Sequence, residues 1–209
     1  MTVSPETTTD HWWWRPGWQL GRSFYTWHIT FANQSGVWKL LTEYAAPISR
    51  FPTMDPVDCE GLHLTIQGIG FADEVSESDI QQIVSATRVH CSQLEPISLR
   101  IGPPRVDAET VQMPVQPLRS VIDLRLALRK GIADVWGENN VPETMEGFRP
   151  HVTIAYSNGE APISEIESSL QAAGSLIGDA QISTVSLIQL NRDRKRYEWN
   201  EFATVRFGK

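Results

Sequence analysis

Three of the five histidines in this 209-residue chain stand two residues before a threonine, in His28-Ile29-Thr30, His63-Leu64-Thr65 and His151-Val152-Thr153. Each triplet lies in a stretch with strand character. Residues i and i+2 of a strand face the same way, so each triplet sets an imidazole beside a hydroxyl and turns its apolar middle residue to the core. A polar loop and a helical pattern recur, loosely, after such strands. That recurrence predicts an internally duplicated α+β fold of two lobes.

Around the triplets, residues 24–31 read as a half-buried strand with Tyr25, Trp27, Ile29 and Phe31 inward. Ser35 is placed to cap a helix over 36–46, stopped by Pro47, and a Pro-rich connection runs to residue 56. The pattern then predicts a strand over 60–71, a helix from Ser76 or Ser78 to residue 91, and strands over 94–101 and 110–115 around a Gly-Pro-Pro turn. A long helix over 118–136 follows Pro117. Residues 148–156 form a strand, 163–173 a helix capped by Ser164, and 182–190 with 197–207 a hairpin turning over 191–196.

Composition narrows the function classes. The net charge of −7 is the wrong sign for gripping a long duplex backbone, so a small nucleotide or a short RNA end is the expected partner. No apolar run approaches the ~18 residues of a membrane span, and the polar, acidic start resembles neither a signal peptide nor a presequence, which gives a cytoplasmic reading with no membrane partner. Cys59 and Cys91 lack a C-x-x-C spacing, so they read as reduced thiols. The histidines lack His-x-His or His-x3-His spacing, so no metal site and no cofactor are expected.

Residues 1–22 form a Trp-rich N-terminal arm, frayed over its first ten residues, ahead of a single bilobal domain over 23–209. Trp12, Trp13, Trp14 and Trp18 are too concentrated to leave in solvent. They either pack an arm against a sheet edge or subunit interface, the favoured reading, or stack on a base.

Two histidine-threonine strands facing across a cleft have the parts for in-line attack on a phosphodiester. One imidazole removes a proton from the nucleophile, the other protonates the leaving oxygen, and the hydroxyls donate to the non-bridging oxygens. LHLTIQGIGF at 62–71 and FRPHVTIAY at 148–156, with the element order around them, resemble the 2H phosphoesterase superfamily, specifically its bacterial 2′,5′-RNA-ligase-like and cyclic phosphodiesterase branch. The resemblance implies two pseudo-symmetric lobes of antiparallel sheet with outer helices around a central cleft. It also implies metal-independent hydrolysis of a 2′,3′-cyclic phosphate or a related 2′-linked nucleotide or RNA phosphodiester. Carried over residue by residue, His63, Thr65, His151 and Thr153 are the catalytic positions. The alternatives are a 2′,5′-RNA ligase or cyclic-oligonucleotide nuclease on the same site, or a non-catalytic nucleotide-phosphate binding module. Many relatives carry a basic residue shortly after the second triplet, where this chain has Tyr156, Ser157 and Asn158, so phosphate binding is expected to be supplied differently.

Further candidates for substrate binding are His28 and Thr30, on a strand of the right polarity, Gln67 and Ser157, which share faces with the two triplets by strict alternation, and Arg149. Each has a structural reading as well: a buried strand histidine, a polar strand end, a solvated arginine. Arg192, Arg194, Lys195 and Arg196 form a local basic cluster, read as a solvated hairpin tip in preference to a polyanion site. His11 and His90 read as surface or structural residues.

Overall fold

The computed structural model describes residues 5–208. Its first sheet has four strands in the order β10-β9-β1-β3, built from β1 (Phe24–Thr30), β3 (His63–Phe71), β9 (Thr184–Asn191) and β10 (Glu198–Arg206). Its second runs β2-β7-β6-β4-β8, from β2 (Met54–Pro56), β4 (Ile97–Ile101), β6 (Thr110–Gln116), β7 (His151–Ser157) and β8 (Gly178–Ile182), with β5 (Arg105–Val106) paired to β6. Every named pairing is antiparallel. The fold is therefore α+β, two antiparallel sheets with outer helices and a cleft between them.

The helices are shared crosswise. Helix α1 (Ser35–Ile48) follows β1 in sequence but packs with α4 (Ile163–Ala172) on the second sheet, whereas α2 (Glu77–Cys91) and α3 (Leu118–Trp136) pair with each other over the first. This exchange ties the lobes together. Gly36 and Gly178 allow it, since a Cβ on Gly36 would sit 2.4 Å from the Asp179 carbonyl oxygen and one on Gly178 would sit 2.5 Å from that of Gly36.

Local signals set most element ends. Ser76 caps α2, its side chain accepting from the Asp79 N–H at 3.0 Å. Ser35 does not cap α1 but is its first residue, and Pro47 sits inside the last turn. The cap of α4 is Pro162, one residue before the helix, and Ser164 lies within the first turn. The Pro-rich connection contains β2, and β8 forms where only a loop is expected, both too short to show a clear period.

The N-terminal arm is anchored from Glu6 onward, its carbonyl accepting from the Ile163 N–H at 3.0 Å, contrary to the expectation of ten frayed residues, of which 1–4 lie outside the described ones. Thr8 N–H donates to the Ala161 carbonyl at 2.9 Å, Thr9 to Ala108 at 2.7 Å and His11 to Ser157 at 2.8 Å, all on the second lobe. The arm then crosses to the first lobe, where the Trp18 ring lies 5.3 Å from Phe71 and 6.0 Å from Phe24. Only Trp12 of the four tryptophans is buried; Trp13 and Trp14 stay about half exposed. The arm is held to the second lobe by backbone bonds and to the first by the Trp18 ring and by Arg22, which pairs with Asp73 and Glu74.

Candidate active site

His63 and His151 each open their strand, and β3 and β7 lie against one another where the two sheets meet. The two imidazoles are held in the same way. Nδ1 of His63 donates to the Gly61 carbonyl at 2.8 Å, and Nδ1 of His151 to the Arg149 carbonyl at 2.8 Å, in both cases two residues back. A carbonyl only accepts, so the proton of each neutral ring sits on Nδ1 and each Nε2 keeps its lone pair. Both rings line one cavity of about 430 Å³ together with Thr65 and Thr153. That size suits a small ligand.

Burial sets the electrostatics. Desolvation pushes His63 down to about 4, against the Gly61 bond that favours its charged form, and the nearby His151 lowers it further. His151 is lowered too, chiefly by desolvation, with its Arg149 bond acting in the opposite direction. Both rings are therefore neutral near pH 7.

His28 stands opposite Thr65 in the β1–β3 register, its Nε2 3.1 Å from Thr65 Oγ1, and its ring stacks on His63 with centroids 4.4 Å apart and planes 4° from parallel. Burial, and then the neighbouring His63, hold His28 well below the ordinary imidazole range. Its Nδ1 is buried without a partner. A buried N–H without an acceptor is costlier than a bare lone pair, so the proton sits on Nε2 and is donated to Thr65. Thr65 then keeps its own hydroxyl hydrogen for the cleft.

Strict alternation fails just past each threonine. The pairing of β1 with β3 slips between Trp27/Gln67 and His28/Thr65, and that of β6 with β7 between Val111/Ala155 and Gln112/Thr153. Each slip leaves one extra residue, Ile66 and Ile154, on the triplet strand, which is a β-bulge that shifts the following side chains by one position. The next residues to line the cavity are therefore Gly68 and Tyr156, and not Gln67 and Ser157. Gln67 is buried behind the sheet, accepting from Arg125 Nε at 3.0 Å and donating to the Pro142 carbonyl at 2.8 Å. Ser157 is buried with its hydroxyl on the Gly159 carbonyl at 2.7 Å.

Thr30 is opposite His63 at the end of β1 and is not among the residues that line the cavity, whereas His28 is. Arg149 is exposed and contributes its carbonyl, not its guanidinium.

Several lining residues escape the sequence reading. His11 is buried, with its ring nitrogens 3.1 Å from Glu109 Oε2 and 2.9 Å from the Tyr197 hydroxyl, and desolvation followed by the Arg15 charge lowers it to about 4. It is thus no surface residue, in contrast with His90, which pairs with Asp134 at 2.7 Å away from the cleft. Tyr197 and Arg192 leave the hairpin turn to enter the cavity, so the basic cluster there splits: Arg194, Lys195 and Arg196 are exposed, Arg192 is buried. The first strand is buried on both faces, Thr26 and His28 included, with the rings of His63 and Trp199 against His28. Among the described residues no three His, Cys, Asp or Glu side chains converge as a metal cluster would, and no helix is long and apolar enough to cross a membrane.

The geometry agrees with what the chain is similar to. The family model described as the 2′-5′ RNA ligase superfamily matches residues 37–194. The structure resembles that of TT0787 of Thermus thermophilus at a TM-score of 0.69 and 18% identity, covering 90% of this chain and 99% of that one. E. coli LigT complexed with 3′-AMP (TM-score 0.63, 16% identity) and with NADP+ (0.61, 17%) are covered to the same extents. Among curated proteins none matches. A match over three quarters of the sequence, on a fold shared with solved relatives, makes this chain a member of the 2′-5′ RNA ligase, or 2H phosphoesterase, superfamily.

Proposed function

We propose that the protein is a metal-independent phosphodiesterase that hydrolyses a 2′,3′-cyclic phosphate or a related 2′-linked nucleotide or RNA phosphodiester. The observation that carries this is the matched pair of imidazoles, His63 and His151, each held at Nδ1 by a backbone carbonyl, each beside a threonine and both lining one cavity. Water attacks phosphorus as one Nε2 takes its proton. The bond from phosphorus to the ribose oxygen breaks as the other imidazole, in its charged form, delivers a proton to that oxygen. Thr65 and Thr153 donate to the non-bridging oxygens, where negative charge accumulates. His28 is a positioning residue in this scheme: by donating to Thr65 Oγ1 it aims that hydroxyl's hydrogen at the phosphoryl group.

An anionic phosphate between the rings favours the imidazolium form, so substrate binding itself promotes the charged partner that the reaction needs. Nucleotide substrates are supported by the 3′-AMP, ATP and NADP+ complexes of the similar E. coli LigT. The test is incubation of EDTA-treated protein with the four nucleoside 2′,3′-cyclic monophosphates and separation of the 2′- and 3′-monophosphate products. Turnover of at least one substrate, undiminished by EDTA, is expected. Turnover that appears only when a divalent metal is restored overturns the metal-free scheme.

A further inference from the structure

Arg192 follows β9 directly, lies 3% exposed and is one of the residues that line the cavity. Its carbon Cζ sits 5.6 Å from the Trp12 ring, 5.9 Å from Trp18 and 5.8 Å from Tyr197, the same ring that meets His63 edge-on at 5.8 Å. A buried guanidinium carries five N–H donors and a charge that burial makes costly unless an anion neutralises it. Arg125, equally buried, has such partners in Glu143 at 3.1 Å, Gln67 and the Thr144 carbonyl. Arg192 has, among the described residues, one bond from Nη2 to the His11 carbonyl at 2.8 Å and no carboxylate within ion-pair distance. The cations of the arm are already neutralised, Arg15 by Glu109 and Arg22 by Asp73 and Glu74.

We propose that Arg192 is the phosphate-binding cation of this cleft, held by the arm and three aromatic rings with its remaining donors turned to a ligand's phosphoryl oxygens. The residues after the second triplet, Tyr156, Ser157 and Asn158, carry no positive charge, and a guanidinium entering from the opposite sheet supplies one. Its fork geometry suits a phosphate better than a point charge does. The inference rests on the phosphodiester reading only for the identity of the ligand. What it requires is that an anionic phosphate binds in the cavity.

The test is titration of wild type, Arg192→Gln and Arg192→Lys with inorganic phosphate and with 3′-AMP by calorimetry, alongside kcat and KM on a 2′,3′-cyclic nucleotide and the thermal midpoint of each protein. Loss of charged hydrogen bonds predicts affinity lowered by roughly 10–100-fold in Arg192→Gln, with partial recovery in Arg192→Lys. A purely structural role lowers the midpoint and leaves phosphate affinity unchanged in the folded protein, which overturns the proposal. Should Arg192→Gln not fold, the Arg192 Nε–H resonance of the wild type decides instead: it must shift as phosphate saturates the protein, and a stationary signal overturns the proposal. Affinity lost in the variant with no turnover in any protein leaves Arg192 in place and removes the phosphodiesterase reading. Normal affinity and turnover in Arg192→Gln does the reverse.

Discussion

The two triplets share backbone geometry and differ in what surrounds them. His63 is backed by the parallel ring of His28 and edged by Trp199 at 5.4 Å and Tyr197 at 5.8 Å, while His151 is more exposed and lies near the charges of Arg105 and Asp107. The residue paired with Thr65 is His28, which bonds it; the residue paired with Thr153 is Gln112, which turns away to Asp107 at 2.8 Å. The two lobes thus repeat the imidazole and hydroxyl that the proposed mechanism assigns to phosphate, on supports that differ. A drier ring and a wetter ring also differ in proton affinity, and in the proposed mechanism that difference lets two identical side chains take complementary tasks.

The largest effect comes from removing either ring. His63→Ala and His151→Ala should each lower kcat by ~10²–10⁴-fold with circular dichroism unchanged, and the double variant should be little worse than either single one, because the rings act as a unit. Losses that multiply in the double variant break the pairing of the two lobes.

The comparison also predicts a pH profile. The base must be neutral and the acid charged, so kcat/KM, which reports the free enzyme, is highest between the limb of His63 at about 4 and that of His151, below the ordinary 6.5. It falls as pH rises through neutrality, by up to about tenfold per pH unit. Bound phosphate stabilises imidazolium, so the kcat profile lies at higher pH than that of kcat/KM. A kcat/KM flat from pH 5 to 8 contradicts the depressed value of His151.

A smaller loss tests the asymmetric support. His28→Leu removes the donor to Thr65 and should lower kcat by roughly tenfold with a lesser change in KM, since the hydroxyl is needed most where charge peaks. His28→Gln, which keeps an N–H at a similar reach, should recover part of it. The ¹⁵N shifts of the wild-type ring supply a readout that packing alone does not move: the pattern must be that of a neutral Nε2–H tautomer. A Nδ1–H pattern removes His28 from the positioning role.

Much of this is legible in the chain. The triplets mark their strands because alternation is strong there, and α2 and α3 end within a residue or two of where caps and periodicity put them. The site is legible as far as local spacing reaches: His63, Thr65, His151 and Thr153 sit together because i and i+2 share a face. Arg192 and His11 are not, since each is carried in by a turn or an arm whose path depends on the opposite lobe. In sequence Arg192 is indistinguishable from Arg194 and Arg196, and only the fold buries one and exposes the others. Strict alternation places Gln67 and Ser157 in the cleft, and two bulges interrupt that period.

Those bulges supply the smallest and most selective prediction. If the extra residues Ile66 and Ile154 set the wall, then Tyr156, three positions after Thr153, faces the ligand, and Ser157, four positions after it, does not. Ser157→Ala removes a hydroxyl whose acceptor, the Gly159 carbonyl, still receives the Thr8 hydroxyl at 2.8 Å, so no buried acceptor is left bare. The cost should stay near ~1 kcal/mol of stability by denaturant unfolding, with kcat and KM unchanged. Tyr156→Ala opens the wall beside Thr153 and should raise KM. A Ser157→Ala variant that loses substrate affinity while Tyr156→Ala does not would mean that β7 keeps strict alternation in solution, and that the two halves of the cleft do not share the bulge that now relates them.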